Sequence, residues 1–250
     1  MDALSCAREL ARPIGDLGSR FYFAPSTRAR AKELGLRSVE YYGLGRAGVL
    51  GDVAPQEVLG AFAFFSPTAI EHIYANARAS LSPVTAAAHY LASAEAYATE
   101  SFAGLEATVL TRVSELGERV LAAAPVGRYR LFDGYRAMRP STGPAPRAYR
   151  VIVELRELRG GAHIDAVAEA GLSAAEASYL EDPENYALHG FGPGDVGDAA
   201  RLVAAAPLRA LAEAATDATM AEYYAVLSGP ERDEFVAAVA VLAGAGHPRA

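Results

Sequence analysis

Apolar residues recur along this chain with the period of an α-helix, and nowhere with a sustained strand alternation. The pattern predicts an all-α fold with little or no β. The clearest stripe is Leu105, Val109, Leu110, Val113, Leu116, Val120 and Leu121, one face of a long amphipathic helix ending near Ala124-Pro125. Val58, Leu59, Phe62 and Phe65 repeat the spacing after Pro55, and a further helix carries Ile70, Ile73 and Tyr74 beyond Pro67. Pro83 opens another through Tyr90 and Tyr97. Toward the start, Ala3–Leu10 reads as a short helix broken by Pro13, and Ser26–Leu34 as one stopped by Gly35. The glycine-rich run Gly43–Asp52 reads as a loop or tight passage.

Pro140–Pro146 is the clearest loop, and it divides a helical region at 1–139 from one at 149–250, with a linker at 140–148. Beyond it Tyr149, Ile152, Val153 and Leu155 resume a helix. The next unit is the most informative. A helix over His163–Ala170 stops at Gly171, and Ser173 with Glu176 three residues on forms a capping box for a helix to Leu180. That is helix-turn-helix geometry. Asp182–Asp198 is loop-like, and two helices close the chain, Ala199–Thr219 with Pro207 interrupting and Pro230–Leu242.

Composition narrows the class without naming an activity. The 250 residues are 52% hydrophobic and 21% charged, enough to bury a substantial core and far from disorder. Alanine supplies much of the apolar share and favours helices, while Lys32 is the sole lysine. No apolar run reaches the roughly 18–20 residues that span a bilayer, and Met1-Asp2-Ala3-Leu4 lacks the charged and apolar regions of a signal peptide. Cys6 is the single cysteine, which permits neither an internal disulfide nor a thiolate metal cage. The expected location is the cytoplasm.

The net charge of −7 is unevenly spread. Residues 1–150 carry 17 Lys/Arg against 14 Asp/Glu, whereas residues 151–250 carry 6 against 16. The second half would repel a phosphate backbone. Its helix Ser173–Asp182 holds no basic residue and three acidic ones, the reverse of a DNA-reading helix.

The chain resembles a bacterial family of MarR-like helix-turn-helix proteins. The matching stretches are Tyr22-Phe23-Ala24-Pro25 with Arg28, Leu34-Gly35-Leu36-Arg37, the Arg46 loop with Val53-Ala54-Pro55, Leu158-Arg159-Gly160-Gly161-Ala162-His163, and Ala170-Gly171-Leu172. The resemblance implies a multi-helix N-terminal region and a C-terminal region derived from a winged helix. It implies little about activity. Glu184–Gly197 is too short and glycine-rich for the usual β-hairpin, so the wing is expected to be degenerate or missing.

Several chemistries can be weighed on motifs. Gly43-Leu-Gly45-Arg-Ala-Gly48 spells a dinucleotide fingerprint, but no strand precedes it and no helix opens on it, so a tight loop between helices is the better reading. His163 with Asp165, or His72 with His89, could meet in space. No pair has the i, i+4 spacing of ligands on one helical face, and no metal site is assigned. There is neither a GxSxG elbow nor a P-loop.

Phe21, Tyr22, Phe23, Tyr41, Tyr42, Phe62, Phe64, Phe65 and Tyr74 crowd one region with Arg28 and Arg46 among them. They form either plain core or an aromatic-walled cavity with a few orienting polar groups. On the second reading Tyr22, Arg28, Tyr42, Arg46 and His72 bind the ligand, and His163 is the acid/base candidate. The arginines from Arg128 to Arg150 would either dock on the chain's own acidic half or hold an anionic partner.

The expected function is a small-molecule-binding protein on a MarR-derived scaffold that has lost DNA binding, with an enzyme of specialised metabolism as one form of it. The alternatives are a ligand-responsive regulator and a non-catalytic subunit of a biosynthetic enzyme. No cofactor is indicated. The expected partner is a small-molecule ligand, with a homodimer or a partner enzyme left open, nucleic acid disfavoured and no membrane.

Overall fold

Proline and short polar side chains start most of the helices. The computed structural model describes residues 1–245 and holds α1 (Ala3–Ser19), α2 (Pro25–Glu33), α3 (Ser38–Ala47), α4 (Pro55–Phe62), α5 (Pro67–Ile70), α6 (Pro83–Ser101), α7 (Ala107–Ala122), α8 (Arg130–Ala137), α9 (Pro144–Glu169), α10 (Ala174–Glu181), α11 (Ala199–Tyr224) and α12 (Gly229–Ala245). Asp2, Ser66, Ser82, Ser173 and Asp198 cap α1, α5, α6, α10 and α11 by accepting a backbone N–H. Proline occupies the first turn of α2, α4, α5, α6 and α9, where its missing N–H has no helical partner to lose. Among the described residues no strand forms, and the fold is all-α. The segment after α10 forms two 3-10 turns, Tyr186–His189 and Pro193–Asp195. His247 lies outside the described residues.

Local signals fail at four places. Pro13 does not end α1, and Pro207 does not interrupt α11. Helix-interior proline costs about 3 kcal/mol, which burial of Cys6, Leu10, Ile14 and Leu17 on one face of α1 outweighs. Pro144 opens α9, so the loop stops at Gly143. The glycines at 43–48 lie in α3 and the 3-10 turn Gly48–Leu50 that follows it, and the loop expected there is a packed helix. A Cβ on Gly43 would come within 2.3 Å of the Ile73 carbonyl oxygen, on Gly45 within 2.6 Å of the Tyr90 ring, and on Gly48 within 1.9 Å of the Pro83 carbonyl oxygen. Helix α3 therefore lies unusually close to α6 and to the turn Glu71–Ala75.

Helix α9 is the axis of the molecule, packed by α1, α6, α7, α8 and α11. Ala148–Leu155 is buried on every side, as expected of a helix inside a bundle. One buried cluster runs from Cys6 in α1 through Tyr41, Tyr90, Val113 and Leu155 to Leu242 in α12, and so passes through both sides of Gly143. No helix among the described residues is long and apolar enough to cross a membrane.

Candidate functional site

Helices α1, α3, α4, α8 and α9, with the segments at Phe64–Phe65, Arg128–Tyr129 and His189, line an open cavity of about 460 Å³. Tyr42 and Arg46 stand one turn apart on α3 and face into it, the Arg46 guanidinium donating to the Tyr42 hydroxyl at 3.3 Å. From α9 come Arg156, Glu157, Gly160 and His163, whose i, i+4, i+7 spacing sets Arg156, Gly160 and His163 on one face. Phe62, Phe64 and Phe65 supply the aromatic wall, and His189 closes one side with its ring stacked on Phe65 at 4.7 Å.

The aromatic wall depends on a strained turn. Ala63 has φ 54° and ψ −52°, and Phe64 N–H donates to Phe62 O at 2.6 Å, the geometry of the rare γ-turn with positive φ. Such a conformation costs on the order of 1–3 kcal/mol for a residue with a Cβ. It turns three consecutive aromatic-bearing segments toward the cavity instead of continuing α4.

Charge is concentrated at the inner end. Arg46 grips Glu157 with two parallel hydrogen bonds, Nε to Oε1 at 2.9 Å and Nη2 to Oε2 at 2.7 Å, and its guanidinium lies 4.4 Å from the Phe62 ring centre. Glu157 is 1% exposed. Burial alone would raise its pKa, but Arg46, Arg156 and the Tyr22 hydroxyl outweigh it and hold the carboxyl below its ordinary range. Arg156 reaches the same carboxylate at 3.4 Å and donates to Gly15 O at 3.3 Å. Two guanidiniums thus share one carboxylate.

At the other end His163 is held in one tautomer. The Thr216 hydroxyl donates to Ala212 O at 2.7 Å, so its oxygen is left to accept from His163 Nδ1 at 3.0 Å. That places the proton of the neutral ring on Nδ1, with Nε2 3.8 Å from Glu213 Oε1. Burial pushes the His163 pKa down, Glu213 opposes and Arg159 and Arg209 reinforce it, so the ring is neutral near pH 7.

The glycines inside the helices fall into two groups, and the cavity has both. A Cβ on Gly18, Gly117, Gly134 or Gly161 would collide with a neighbour, which explains glycine there by close packing. A Cβ on Gly15, Gly60 or Gly160 would meet nothing within 4 Å, yet all three sit inside helices and line the cavity. Glycine inside a helix costs about 0.5–1 kcal/mol relative to alanine. Packing gives no reason for it at these positions, of which Gly60 is exposed and Gly15 and Gly160 half-buried, nor at Gly244 of α12, away from the cavity.

Next to the cavity, α9 ends at Ala170, Gly171 turns the chain with φ +74°, and Ser173 starts α10 through its capping box with Glu176. A small core of Ala166, Val167, Leu172, Ala177, Ala205 and Ala212 holds this unit together, and Phe64 packs on it from the cavity wall. A family described as a helix-turn-helix family matches residues 7–201. The chain belongs to that helix-turn-helix family. The match takes in α1 to the start of α11, hence both the cavity and the helix-turn-helix. No curated protein and no solved structure matches the chain.

In this helix-turn-helix protein α10 is largely covered. Ala175, Glu176, Ala177 and Ser178 are buried, and Arg201 of α11 clamps Glu176 at 2.8 Å while donating to Gly171 O at 3.0 Å. The Arg201 guanidinium, with the Ser173 backbone N–H, holds the Glu176 carboxyl down at about 2. Glu181 is exposed and pairs with Arg209 of α11.

The residues expected at the site separate into two groups. Tyr42, Arg46 and His163 line the cavity. Tyr22 lies just behind the wall, its ring 5.1 Å from that of Tyr42 and its hydroxyl 3.5 Å from Glu157. Arg28 on α2 and His72 in the turn after α5 are surface residues outside the lining, because the helical faces that carry them turn to solvent. Glu157, Arg156, Gly160 and His189 are not among the site residues read from the sequence. The available signal is the charged trio Glu154, Arg156 and Glu157 set among the apolar residues of Val151–Leu158.

Among the described residues no group of three or more His, Cys, Asp or Glu side chains gathers as metal ligands. The arginine-rich stretch is engaged internally: Arg128 with Asp165, Arg130 with Glu57, Arg136 with Glu118 and Glu154, Arg139 with Glu95, and Arg150 with Glu154. Three of those carboxylates, Glu57, Glu95 and Glu118, belong to the first half rather than the acidic second one.

Proposed function

We propose that this protein binds a small molecule in the cavity between α3, α4 and α9, on a MarR-derived scaffold that no longer reads DNA. The observation that carries the reading is the trio Gly15, Gly60 and Gly160, which keeps open a space walled by aromatic rings and charged groups. Its volume falls in the range of sites for small organic ligands. An α10 without a basic residue, in a half-chain of 6 Lys/Arg against 16 Asp/Glu, supports the loss of DNA binding. His163, on the cavity lining with Nε2 3.8 Å from Glu213, is the group that would exchange a proton with an occupant.

Gly160 provides the test. Gly160→Ala is expected to stabilise the fold by about 0.5–1 kcal/mol, read as a rise in melting temperature. Gly160→Leu is expected to fold as well as the parent and to fill the cavity. In a thermal-shift screen of neutral and charged aromatic fragments, those that raise the melting temperature of the parent should have no effect on Gly160→Leu. Equal shifts in both proteins would place binding elsewhere and end this reading.

A second reading, a ligand-responsive regulator, draws on two contacts. His189 stacks on Phe65, and Ser66 N–H donates to His189 O at 2.9 Å, so the segment after α10 touches the cavity wall directly. A gel shift at low salt with the DNA upstream of its own gene tests it. A salt-sensitive, sequence-specific complex supports the regulator, and its absence removes it.

A further inference from the structure

The segment between α10 and α11 meets the cavity wall at one point. Residues 182–198 form no α-helix, only the turns Tyr186–His189 and Pro193–Asp195, and most of them are exposed. Tyr186 rests on Tyr179 near one end, ring centres 5.1 Å apart, and Val196 is buried near the other. Midway, His189 is the residue of this segment that reaches the cavity lining. Its carbonyl accepts from Ser66 N–H at 2.9 Å, and its ring stacks on Phe65. Gly190, at φ +84°, makes this approach possible. A Cβ there would stand 2.3 Å from Ser66 Oγ, which is committed to the Ala69 N–H, and 2.9 Å from the Ala69 Cβ. On the wall side, Phe65 and Ser66 follow closely on the strained Ala63. The docked state thus sets a few contacts against a strained turn, the balance expected of a segment that opens locally.

We propose that residues 182–198 are a strap that gates the cavity, closed while His189 is docked on Phe65 and Ser66 and open when it withdraws. The inference rests on the cavity being the ligand site. His189 and Phe65 both belong to the lining, so withdrawal takes away one side of the cavity and widens its mouth. The ends of the strap stay in place. Asp182 accepts from Tyr186 N–H at 3.0 Å through its carbonyl, and Asp198 caps α11, with Gly197 at φ +75° turning the chain into that helix. Strain at Ala63 favours release, because the contacts of Phe65 and Ser66 with the strap help to hold that turn. Opening of this kind lets an occupant enter and leave while α9 stays folded.

Hydrogen exchange on the full chain tests the strap without a ligand, because the Ser66 N–H takes its acceptor from it. Ser66 is expected to exchange about a hundredfold faster than the buried amides of Val151–Leu155, which report global unfolding. Its rate should also be insensitive to low urea, since local opening exposes little surface, while the α9 amides speed up. Gly190→Ala should speed Ser66 exchange about tenfold or more, and Ala63→Gly should slow it. Ser66 exchange at the α9 rate with the same urea dependence, or unchanged in Gly190→Ala, overturns the strap. The rate and urea comparison needs no variant, so it stands even if Gly190→Ala folds poorly. Fragments whose thermal shift is lost in Gly160→Leu should slow Ser66 exchange in the parent about tenfold. Unchanged exchange with such a fragment bound overturns the gate and keeps the cavity. Failure of the cavity reading shows separately, as thermal shifts that survive in Gly160→Leu.

Discussion

Glu157→Gln is expected to destabilise the fold by about 3–5 kcal/mol, the usual cost of removing one partner from a buried ion pair. The carboxylate receives both arms of the Arg46 fork, and its loss strands Arg46 and Arg156 together in a region where neither can shed its charge. Against a total stability on the order of 5–15 kcal/mol, that is a large fraction. Chemical denaturation should show the midpoint falling sharply. An unchanged midpoint would mean that Glu157 does not neutralise the pair. Replacing Arg46 and Glu157 together by Met should recover much of the loss, since a paired charge carries its own desolvation cost.

The same residue contributes to the pH profile. Its folded pKa lies below the unfolded 4.5, so its stabilisation is fully present above that value and is lost as pH falls through the folded pKa. Glu176, held at about 2 by Arg201, acts in the same direction. Stability should therefore fall progressively below pH 4.5, and Glu157→Gln should flatten the upper part of that acid limb.

Gly48→Ala is the second large effect, expected to cost about 3 kcal/mol or more. A new Cβ would stand 1.9 Å from the Pro83 carbonyl oxygen, backbone that cannot rotate aside, with the Ala87 methyl at 3.0 Å. The turn after α3 would have to move off α6. The contrast with Gly160→Ala is the informative part, because the same chemical change is expected to have opposite signs in two helical settings. A thermal melt of the two variants beside the parent reads both. If Gly48→Ala melted with the parent, the close approach of α3 to α6 would be wrong.

These two glycines show how far the sequence could be read. The run Gly43–Gly48 carries a strong local preference for a loop, and tertiary contact reverses it: the absence of side chains there lets two helices touch. Gly160 carries the same preference for the reverse reason, with nothing beside it at all. Nothing in either local sequence separates the two cases, because the deciding atoms belong to Ile73, Tyr90 and Pro83 in one and to an empty volume in the other. Pro13 and Pro207 were misleading in the same manner. Each costs one backbone hydrogen bond, and burial along the rest of its helix outweighs it.

The candidate site was legible in part. Tyr42 and Arg46 were found because aromatic residues cluster in sequence, and their i, i+4 spacing sets them on one helical face. Arg28 and His72 share that proximity in sequence, but the chain turns both toward solvent. Glu157 is 111 residues from Arg46, and no spacing rule reaches that far.

The chain by itself determined what depends on neighbours a few residues away. Its apolar periodicity set the helices from α4 to α7, and Gly171 with the Ser173–Glu176 capping box set the helix-turn-helix, because caps and helical faces are governed by contacts at i+3 and i+4. Its composition also set the acidity of the second half. Only the tertiary structure decided which charges meet, which glycines are pressed against a neighbour and which look onto open space, and that Arg46 and Arg156 share the Glu157 carboxylate. Those properties depend on distances between helices remote in sequence, and packing, not propensity, sets those distances.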